Sequence, residues 1–316
     1  MEDKIKIGVS RCLLGDKVRY DGGHKWDRFI TDTLEIYLEF VPVCPEVECG
    51  LGVPREAMHL IGDPQNPRLF TRRTKIDHTD KMKAYARKRI AELEKEDLCG
   101  FIFKSGSPSS GMERVKVYGA KGDPVKTGVG LFAREFITRF PLLPVEDDGR
   151  LHDLQLRENF IERIFTLKRW REVRAQKAGL KPLIDFHTRH KCLILSHSRK
   201  HYQQMGQLVA RTDPMPLKER VDTYQTLFLE ALRIKTTPKK HRDVLLHMMG
   251  FFKKELSTDE KQELLEIIDH YKNGLIPLIV PITLILHYVR KYDQPYLKNQ
   301  VYLEPHPLEL KLRNHV

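Results

Sequence analysis

The first half of the chain alternates short apolar runs with longer amphipathic stretches. The apolar runs have the length of buried strands and lie at residues 5–9, 40–43, 100–103 and 142–145. Residues at helical spacing lie between them, at 26–39, 79–96 and 129–140. The run at 115–118 indicates an edge strand, and the prolines near residue 65 mark an irregular segment. This alternation predicts an α/β domain with a Rossmann-like parallel sheet, covered on both faces.

The pattern changes at Asp147-Asp148-Gly149, which is the expected domain boundary. Beyond it we find no strand pattern before the extreme C-terminus. Helical spacing recurs in seven segments, at 156–174, 183–196, 198–211, 217–234, 239–254, 258–273 and 276–292. The sequence therefore predicts an α/β domain at residues 1–148 and an all-α domain at residues 149–316.

Charge is divided unevenly between these two halves. The 316-residue chain has a net charge of +12, of which +1 falls in residues 1–148 and +11 in residues 149–316. A basic half beside a neutral half indicates a polyanion-binding module joined to another activity, although charge also serves solubility alone.

Nothing in the sequence indicates a membrane protein. The longest apolar run, 275–286, is interrupted by two prolines and is shorter than the roughly 20 residues of a membrane helix. The N-terminus lacks the apolar core of a signal peptide. We therefore expect a soluble, cytoplasmic protein with no membrane partner.

Thiol and polar residues follow three of the predicted strands. Cys12 follows the first strand, Cys44, Glu46 and Cys49 follow the second, and a Ser/Gly/Pro loop at 105–111 follows the third. Open α/β sheets place their sites at the carboxyl ends of strands, so these groups are expected to converge on one edge of the sheet.

Three cysteines at one sheet edge have two interpretations. They can hold a zinc ion or an iron–sulfur cluster with one metal position open, which is typical of a catalytic site. They can equally be small buried apolar residues. Cys99, at the start of a strand, and Cys192, in an apolar helix, are predicted to be core residues.

Four histidines lie in pairs at helical spacing, His187 with His190 and His197 with His201. Each pair shares a helix face. Arginines and lysines lie between them, which favours polar or phosphate contacts over a metal site. No glycine-rich phosphate loop is present, so a nucleotide cofactor has no support.

Several separated motifs resemble two known families. The segments 10–15 (SRCLLG), 19–22 (RYDG), 44–46 (CPE) with 50–55 (GLGVPR), and 107–111 (SPSSG) resemble the thiouracil desulfidase family over about residues 4–146. The segments 186–191 (FHTRHK), 197–198, 277–278 and 312–315 resemble the YbgA-type all-α domain over about residues 175–315. Together, the two resemble bacterial tRNA 4-thiouridine desulfidases.

The first resemblance implies a [4Fe-4S] cluster held by three cysteines, with the fourth iron open to the substrate sulfur. Cys12 and Cys44 match two of the ligands. The family's third cysteine corresponds to Ser110, which is a departure from its motif. Cys49 lies five residues beyond Cys44 and can supply the missing thiolate; otherwise Ser110 or water must serve.

The same resemblance assigns residues to the reaction. Glu46, in the CPE motif, is the implied catalytic acid, and Ser107 is the implied catalytic serine. Ser105 and Ser109 are alternatives for the serine, and with Ser110 they are expected to contact the substrate. Water adds to the ring carbon, Glu46 takes and later returns its proton, and Ser107 orients the water or the base.

The implied activity is conversion of 4-thiouridine in tRNA to uridine and sulfide, with tRNA gripped by the basic half. The expected tRNA contacts are Lys168, Arg169, Arg171, Arg189, Lys191, Lys239, Lys240 and Arg242. Two alternatives remain open. One is a desulfidase of free thiouracil or its nucleosides, and the other is a cluster-bearing RNA-binding or redox-sensing protein without turnover.

Overall fold

The computed structural model describes residues 4–119, 123–175, 179–212 and 214–315. It divides into two compact units, Met1–Phe160 and Ile161–Val316, called here the first and second unit. The strands of the first unit are β1 Ile5–Ser10, β2 Leu38–Val43, β3 Met58–Ile61, β4 Arg68–Thr71, β5 Phe101–Phe103, β6 Val115–Tyr118, β7 Pro124–Gly128 and β8 Val145–Asp147. Its helices are α1 Pro45–Glu48, α2 Thr79–Leu93 and α3 Leu131–Arg139.

The predicted parallel sheet is present. Its strand order is β2-β1-β5-β8, and all three pairings are parallel. Phe101 and Phe103 of β5 stack with ring centroids 4.2 Å apart and pack against Phe136 of α3. Gly8 of β1 makes room for this core, because a Cβ there would lie 2.2 Å from the Phe101 ring.

A second, smaller sheet was not predicted. Its order is β4-β3-β6-β7, with β3 parallel to β6 and the outer pairs antiparallel. The segment interpreted as irregular is the loop between β3 and β4, and the predicted edge strand at 115–118 is a central strand of this sheet. The predicted helix at 26–39 is also wrong in length: it is a π-helix, Phe29–Leu34, followed by β2.

The second unit is helical, as predicted. A long helix, α4 Leu154–Ala175, contains the division between the units. The others are α5 Leu180–His197, α6 Arg199–Ala210, α7 Leu217–Arg233, α8 Pro238–Met249, α9 Thr258–Lys272, α10 Ile279–Lys291 and α11 Pro295–Lys298. No strand is assigned between residue 161 and the C-terminus within the ranges described. In those ranges no helix is both long and apolar enough to cross a membrane.

The division between the units lies later than the boundary predicted between residues 148 and 149. Asp147 ends strand β8 and is buried. Arg150 pairs with Glu146 and Glu113, and the Arg157 guanidinium lies 3.9 Å from the centroid of the Phe29 ring. These contacts tie the segment after Asp148 to the first unit.

The histidine pairs lie mostly in the interior of the second unit. His187, His190 and His197 are buried, so of the polar or phosphate contacts expected for them the structure shows polar contacts within the unit. His197 Nε2 lies 2.6 Å from Glu162 Oε1, and its Nδ1 lies 2.7 Å from the Ile234 carbonyl oxygen. Arg313 Nη2 donates to Glu162 Oε2 at 3.4 Å. Glu162, His197 and Arg313 thus form a buried ionic network.

This network makes the stability of the second unit sensitive to acid. Burial alone would raise the pKa of Glu162, but the His197 hydrogen bond and nearby cations lower it to about 2, from 4.5 for an ordinary glutamate. Because the folded pKa is lowered, the stabilisation is complete above about pH 4.5 and is lost as pH falls towards 2.

We expect Glu162→Gln to lower the free energy of unfolding by roughly 3–5 kcal/mol at neutral pH, because it removes the carboxylate charge from a buried ionic network. The difference from the parent should shrink below about pH 4.5. Denaturant unfolding followed by emission of the buried Trp170, with exposed Trp26 replaced by Phe, measures this. Parallel stability–pH curves for the two proteins would contradict it.

Candidate active site at the sheet edge

The carboxyl ends of β1, β2 and β5 meet at a cavity of about 410 Å³, called here the sheet-edge cavity. Cys12, Cys44 and Glu46 line it together with the serine loop, residues 105–110. The Ser10 hydroxyl, at the end of β1, accepts a 2.8 Å hydrogen bond from the Lys104 N–H after β5. The predicted convergence of these loops is therefore confirmed.

The serine loop is fixed by the start of helix α3. The carbonyl oxygen of Ser109 accepts hydrogen bonds from the N–H groups of Phe132 and Ala133, at 2.9 and 3.2 Å. Gly130 approaches so closely that a Cβ there would lie 2.5 Å from the Ser109 carbonyl. The loop serines are therefore held by backbone contacts rather than by side-chain packing alone.

Glu46 is anchored by a buried arginine. Arg55 donates to Glu46 Oε2 from Nε at 2.9 Å and from Nη2 at 2.5 Å, and it also donates to the carbonyl oxygens of Val18 and Gly52. Glu46 and Arg55 side chains are 13% and 7% exposed. Arg55 lies in the GLGVPR segment, but its pairing with the carboxylate could not be predicted from that motif.

A chain of hydroxyl groups leads from Glu46 to Ser107. The Ser109 hydroxyl donates to Glu46 Oε1 at 2.7 Å, and the Ser107 and Ser109 oxygens lie 3.0 Å apart. Ser107 Oγ also accepts from the N–H of Ser110 at 3.1 Å. Since Ser109 donates its only proton to Glu46, Ser107 donates to Ser109, which orders the hydroxyls for proton transfer towards Glu46.

Two thiols open into the same cavity. Among the residues that the structure describes, Cys12 and Cys44 are the cysteines that line it. Burial raises the pKa of both thiols, that of Cys12 to about 11, and the neighbouring Cys44 adds to the rise at Cys12.

Cys49 has a different environment. It packs in an apolar cluster with residues of the small sheet and α2, including Met58, Leu60 and Met82. Its thiol donates to the Glu46 carbonyl oxygen at 3.3 Å, and burial raises its pKa to about 11. Ser110, by contrast, lines the sheet-edge cavity.

The three predicted cysteine ligands do not all line one cavity, since Cys12 and Cys44 line the sheet-edge cavity and Cys49 does not. In the described ranges, no group of three or more His, Cys, Asp or Glu side chains is arranged to hold a single metal ion. Of the ligands that the sequence left open, Cys12, Cys44 and Ser110 line the cavity. Cys99 and Cys192 are buried, as predicted for core residues.

Ser105 belongs to an ionic cluster beside the cavity. Lys104 Nζ donates to Asp148 Oδ2 at 2.7 Å and to the Ser105 hydroxyl at 2.9 Å, while the Ser105 N–H donates to Asp148 Oδ1 at 2.7 Å. Burial would raise the pKa of Asp148, but the hydrogen bonds from Lys104 and Ser105 lower it. Asp148, interpreted from sequence as part of a linker, positions this end of the serine loop.

Basic side chains predominate in the lining of the cavity. Glu46 is the one carboxylate among its described lining residues, and six basic side chains line it: Arg11, Arg19, Lys25, Arg55, Arg72 and Lys104. Four of the six pair with carboxylates, Arg11 with Asp16, Arg19 with Asp21, Arg55 with Glu46 and Lys104 with Asp148. Among the described residues, Lys25 and Arg72 have no ion-pair partner.

Some predicted tRNA contacts are engaged within the second unit. Lys240 Nζ donates to the carbonyl oxygens of His197 and Lys235, and Arg242 pairs with Asp269. Arg169 donates to the Pro305 carbonyl oxygen, and Lys168 lies 3.7 Å from Glu172. The Lys191 ammonium lies over the Tyr296 ring. Of the remaining three predicted contacts, Arg189 and Lys239 are exposed and Arg171 is half-buried.

Comparison with known proteins gives a match for each half. Residues 7–148 match the family model described as 2-thiouracil desulfurase, and residues 191–307 match the one described as a protein of unknown function, DUF1722. The uncharacterized protein YbgA of Escherichia coli strain K12 is 31% identical over 153 residues, which covers 48% of this chain and 90% of YbgA. The chain belongs to the YbgA family. The YbgA-type domain predicted in the second half is thereby confirmed.

The match over residues 7–148 supports a desulfidase activity for a member of the YbgA family that carries this additional region. A solved structure described as the [4Fe-4S]-dependent thiouracil desulfidase TudS is 28% identical to this chain, with a TM-score of 0.40. The match covers 48% of this chain and 95% of the TudS chain. The description of TudS names the cofactor predicted above.

Proposed function

We propose that this protein removes sulfur from 4-thiouridine in tRNA and releases uridine and sulfide. The observation that carries the proposal is the sheet-edge cavity, where the Cys12 and Cys44 thiols share one space with the Glu46–Ser109–Ser107 chain. This cavity lies within the residues that match the 2-thiouracil desulfurase family.

The cofactor in this proposal is a [4Fe-4S] cluster at Cys12 and Cys44. Thiolates are the ligands that iron–sulfur clusters use, and two thiols facing one cavity fit part of such a set. Ser110 is the third donor at the cavity. When bound, the cluster supplies an open iron position for the soft thiocarbonyl sulfur, which makes sulfide a better leaving group.

The chain's own residues handle the proton. Water adds to the ring carbon of the thiolated base, the C–S bond breaks, and a C=O bond replaces it, with no net oxidation or reduction. Glu46 accepts the water proton at Oε1 through Ser109, because Oε2 is occupied by Arg55. Glu46 then returns that proton to the departing sulfur, which completes a general acid–base cycle.

A polyanionic substrate suits both units. Six basic side chains line the cavity, and the second half of the chain has a net charge of +11. Proteins that neutralise phosphates bind nucleic acid with an affinity that falls steeply with salt. Free thiouracil carries no phosphate, so it would leave the positive charge of Lys25, Arg72 and the second half of the chain without an anionic partner.

The proposal is tested by incubating anaerobically purified protein, with its iron counted, with tRNA that contains 4-thiouridine. We expect loss of 4-thiouridine, gain of uridine, and faster turnover of tRNA than of free 2-thiouracil at equal concentration. Turnover of the free base alone would identify a small-molecule desulfidase instead. Tight tRNA binding by cluster-loaded protein without sulfide release would identify a non-catalytic RNA-binding protein.

Ser109→Ala is expected to slow turnover by roughly 100-fold, the lower end of the acid–base range, because Ser107 loses its hydrogen-bonded path to Glu46. Iron content should be unchanged, since Ser109 is not among the proposed ligands. Steady-state sulfide release and an iron count measure both effects. A rate equal to that of the parent would show that Ser109 only fills space.

A further inference from the structure

A second cavity adjoins the sheet-edge cavity on the small sheet. It has a volume of about 480 Å³ and is called here the basic cleft. The two cavities share four lining residues, Met58, Arg72, Gly106 and Pro108. The other residues that line the basic cleft are His59, Arg114, Val115, Lys116, Tyr118 and Lys126. A ligand chain that leaves the sheet-edge cavity over Arg72 therefore enters the basic cleft.

The charged side chains that line the basic cleft are all positive. Arg72, Arg114, Lys116 and Lys126 line it, and none of its lining residues is a carboxylate. Across the described parts of the chain, none of these four side chains forms an ion pair, whereas Lys104 and Arg55 of the neighbouring cavity are paired. Unpaired cations around a concave surface are suited to a polyanion rather than to internal stabilisation.

Two of these lysines oppose each other across the sheet. Lys116 of β6 is the register partner of Lys126 of β7, and both are exposed. Like charges directly opposite on neighbouring strands destabilise a sheet. The stability of the sheet therefore does not explain why two lysines oppose each other here. An anion bound between the two ammonium groups would offset their repulsion.

The floor of the basic cleft adds an unused polar atom and an aromatic edge. His59 Nδ1 is buried and has no hydrogen-bond partner within the described residues. Burial, with the charges of Lys75 and Arg72, lowers the pKa of His59, so the neutral ring is favoured. Tyr118 meets that ring edge-on, with centroids 5.3 Å apart. The His59 and Tyr118 rings thus add aromatic surface to the lining of the cleft, which suits the base of a single-stranded nucleotide.

We infer that the basic cleft binds the ribose–phosphate backbone of RNA next to the nucleotide whose base enters the sheet-edge cavity. The inference rests on the proposed function and adds a phosphate-binding surface to the first unit, on strands β6 and β7. Four cations without a carboxylate suit several phosphates of a polynucleotide better than the single phosphate of a mononucleotide. A base that leaves its stack brings its flanking phosphates to the protein surface.

The test compares two charge-matched double variants of the full chain. Lys116→Gln with Lys126→Gln removes two charges from the basic cleft. Arg87→Gln with Lys88→Gln removes two charges from the exposed face of α2, which lines neither cavity. Equilibrium binding of bulk tRNA is measured for each protein across a salt series.

Affinity falls as salt rises, and we expect this fall to be less steep in the cleft variant. The absolute slope of log affinity against log salt should decrease by roughly 1.4 to 1.8, since each lost phosphate contact removes about 0.7–0.9. The α2 variant should keep the parent slope. The cleft variant should also raise the KM for a 4-thiouridine-containing RNA while leaving turnover of the 4-thiouridine nucleoside unchanged. Its unfolding free energy should not fall, because a like-charge pair has been removed.

Several results would overturn the inference. Equal salt slopes for the two double variants would show that the basic cleft makes no phosphate contact. An equal loss of affinity for 4-thiouridine 5′-monophosphate and for RNA would show that it holds one terminal phosphate, not a backbone. If the parent protein releases no sulfide from any substrate, the proposed function fails, and the salt slopes still decide the RNA contact.

Discussion

Glu46→Gln lowers sulfide release from 4-thiouridine in tRNA by roughly 100- to 10,000-fold, the range expected when a general acid–base residue is removed. The amide keeps the shape of the side chain but cannot accept the water proton. Arg55 and Ser109 are its present partners, and both lose a charged acceptor. Iron content and tRNA affinity should stay at parent values, because Glu46 is neither a proposed ligand nor a cation.

Glu35→Gln is the matched control. Glu35 is an exposed glutamate of the same unit, beyond the end of the π-helix and away from the sheet-edge cavity. Its substitution should leave the rate unchanged. A Glu46→Gln protein that loses iron together with activity would show that the carboxylate supports the metal site and does not transfer a proton.

Ser110→Cys raises the amount of iron that the protein retains during anaerobic gel filtration with a chelator, and Cys49→Ala leaves it unchanged. Ser110 lines the sheet-edge cavity with the Cys12 and Cys44 thiols, whereas Cys49 packs against Met58 and Leu60. A thiolate is a better ligand for cluster iron than a hydroxyl group. Cys44→Ala, which removes a cavity thiol, should abolish iron binding.

The control for the alanine substitution is Cys99→Ala, because Cys99 is another buried cysteine of the first unit and lines neither the sheet-edge cavity nor the basic cleft. Thermal unfolding shows whether each variant keeps its fold. If Cys49→Ala loses iron as completely as Cys44→Ala while Ser110→Ala keeps it, Cys49 is the third ligand, as the resemblance allowed.

The convergence of Cys12, Cys44, Glu46 and the serine loop could be predicted from the sequence. Each follows a strand of a parallel sheet, and parallel connectivity brings the carboxyl ends of strands to one edge. The helices of the second unit could also be predicted from the sequence, because their apolar spacing is regular over 12 to 22 residues.

The small sheet could not be predicted in the same way. Strands β3 and β4 have four residues each, and Leu60 of β3 pairs with Val117 of β6, far along the chain. Short strands that depend on distant partners carry little local signal. For the same reason the sequence did not show that Arg55 holds Glu46 or that Asp148 holds Ser105.

The burial of the histidines could not be predicted from the sequence pattern either. The spacing of His187 and His190 places them on one helix face, but it does not say whether that face points to solvent. The neighbouring basic residues suggested a surface. Instead, the polar partners of His187 and His197 are Tyr224 and Glu162, both in the interior.

The most direct test of the account is the stoichiometry of the reaction on tRNA. Cluster-loaded full-length protein is incubated with 4-thiouridine-containing tRNA, and sulfide, uridine and remaining 4-thiouridine are quantified over time. The account predicts equal amounts of sulfide and uridine formed for each 4-thiouridine lost, over many turnovers. Intact 4-thiouridine in the presence of iron-loaded protein that binds the tRNA would contradict it.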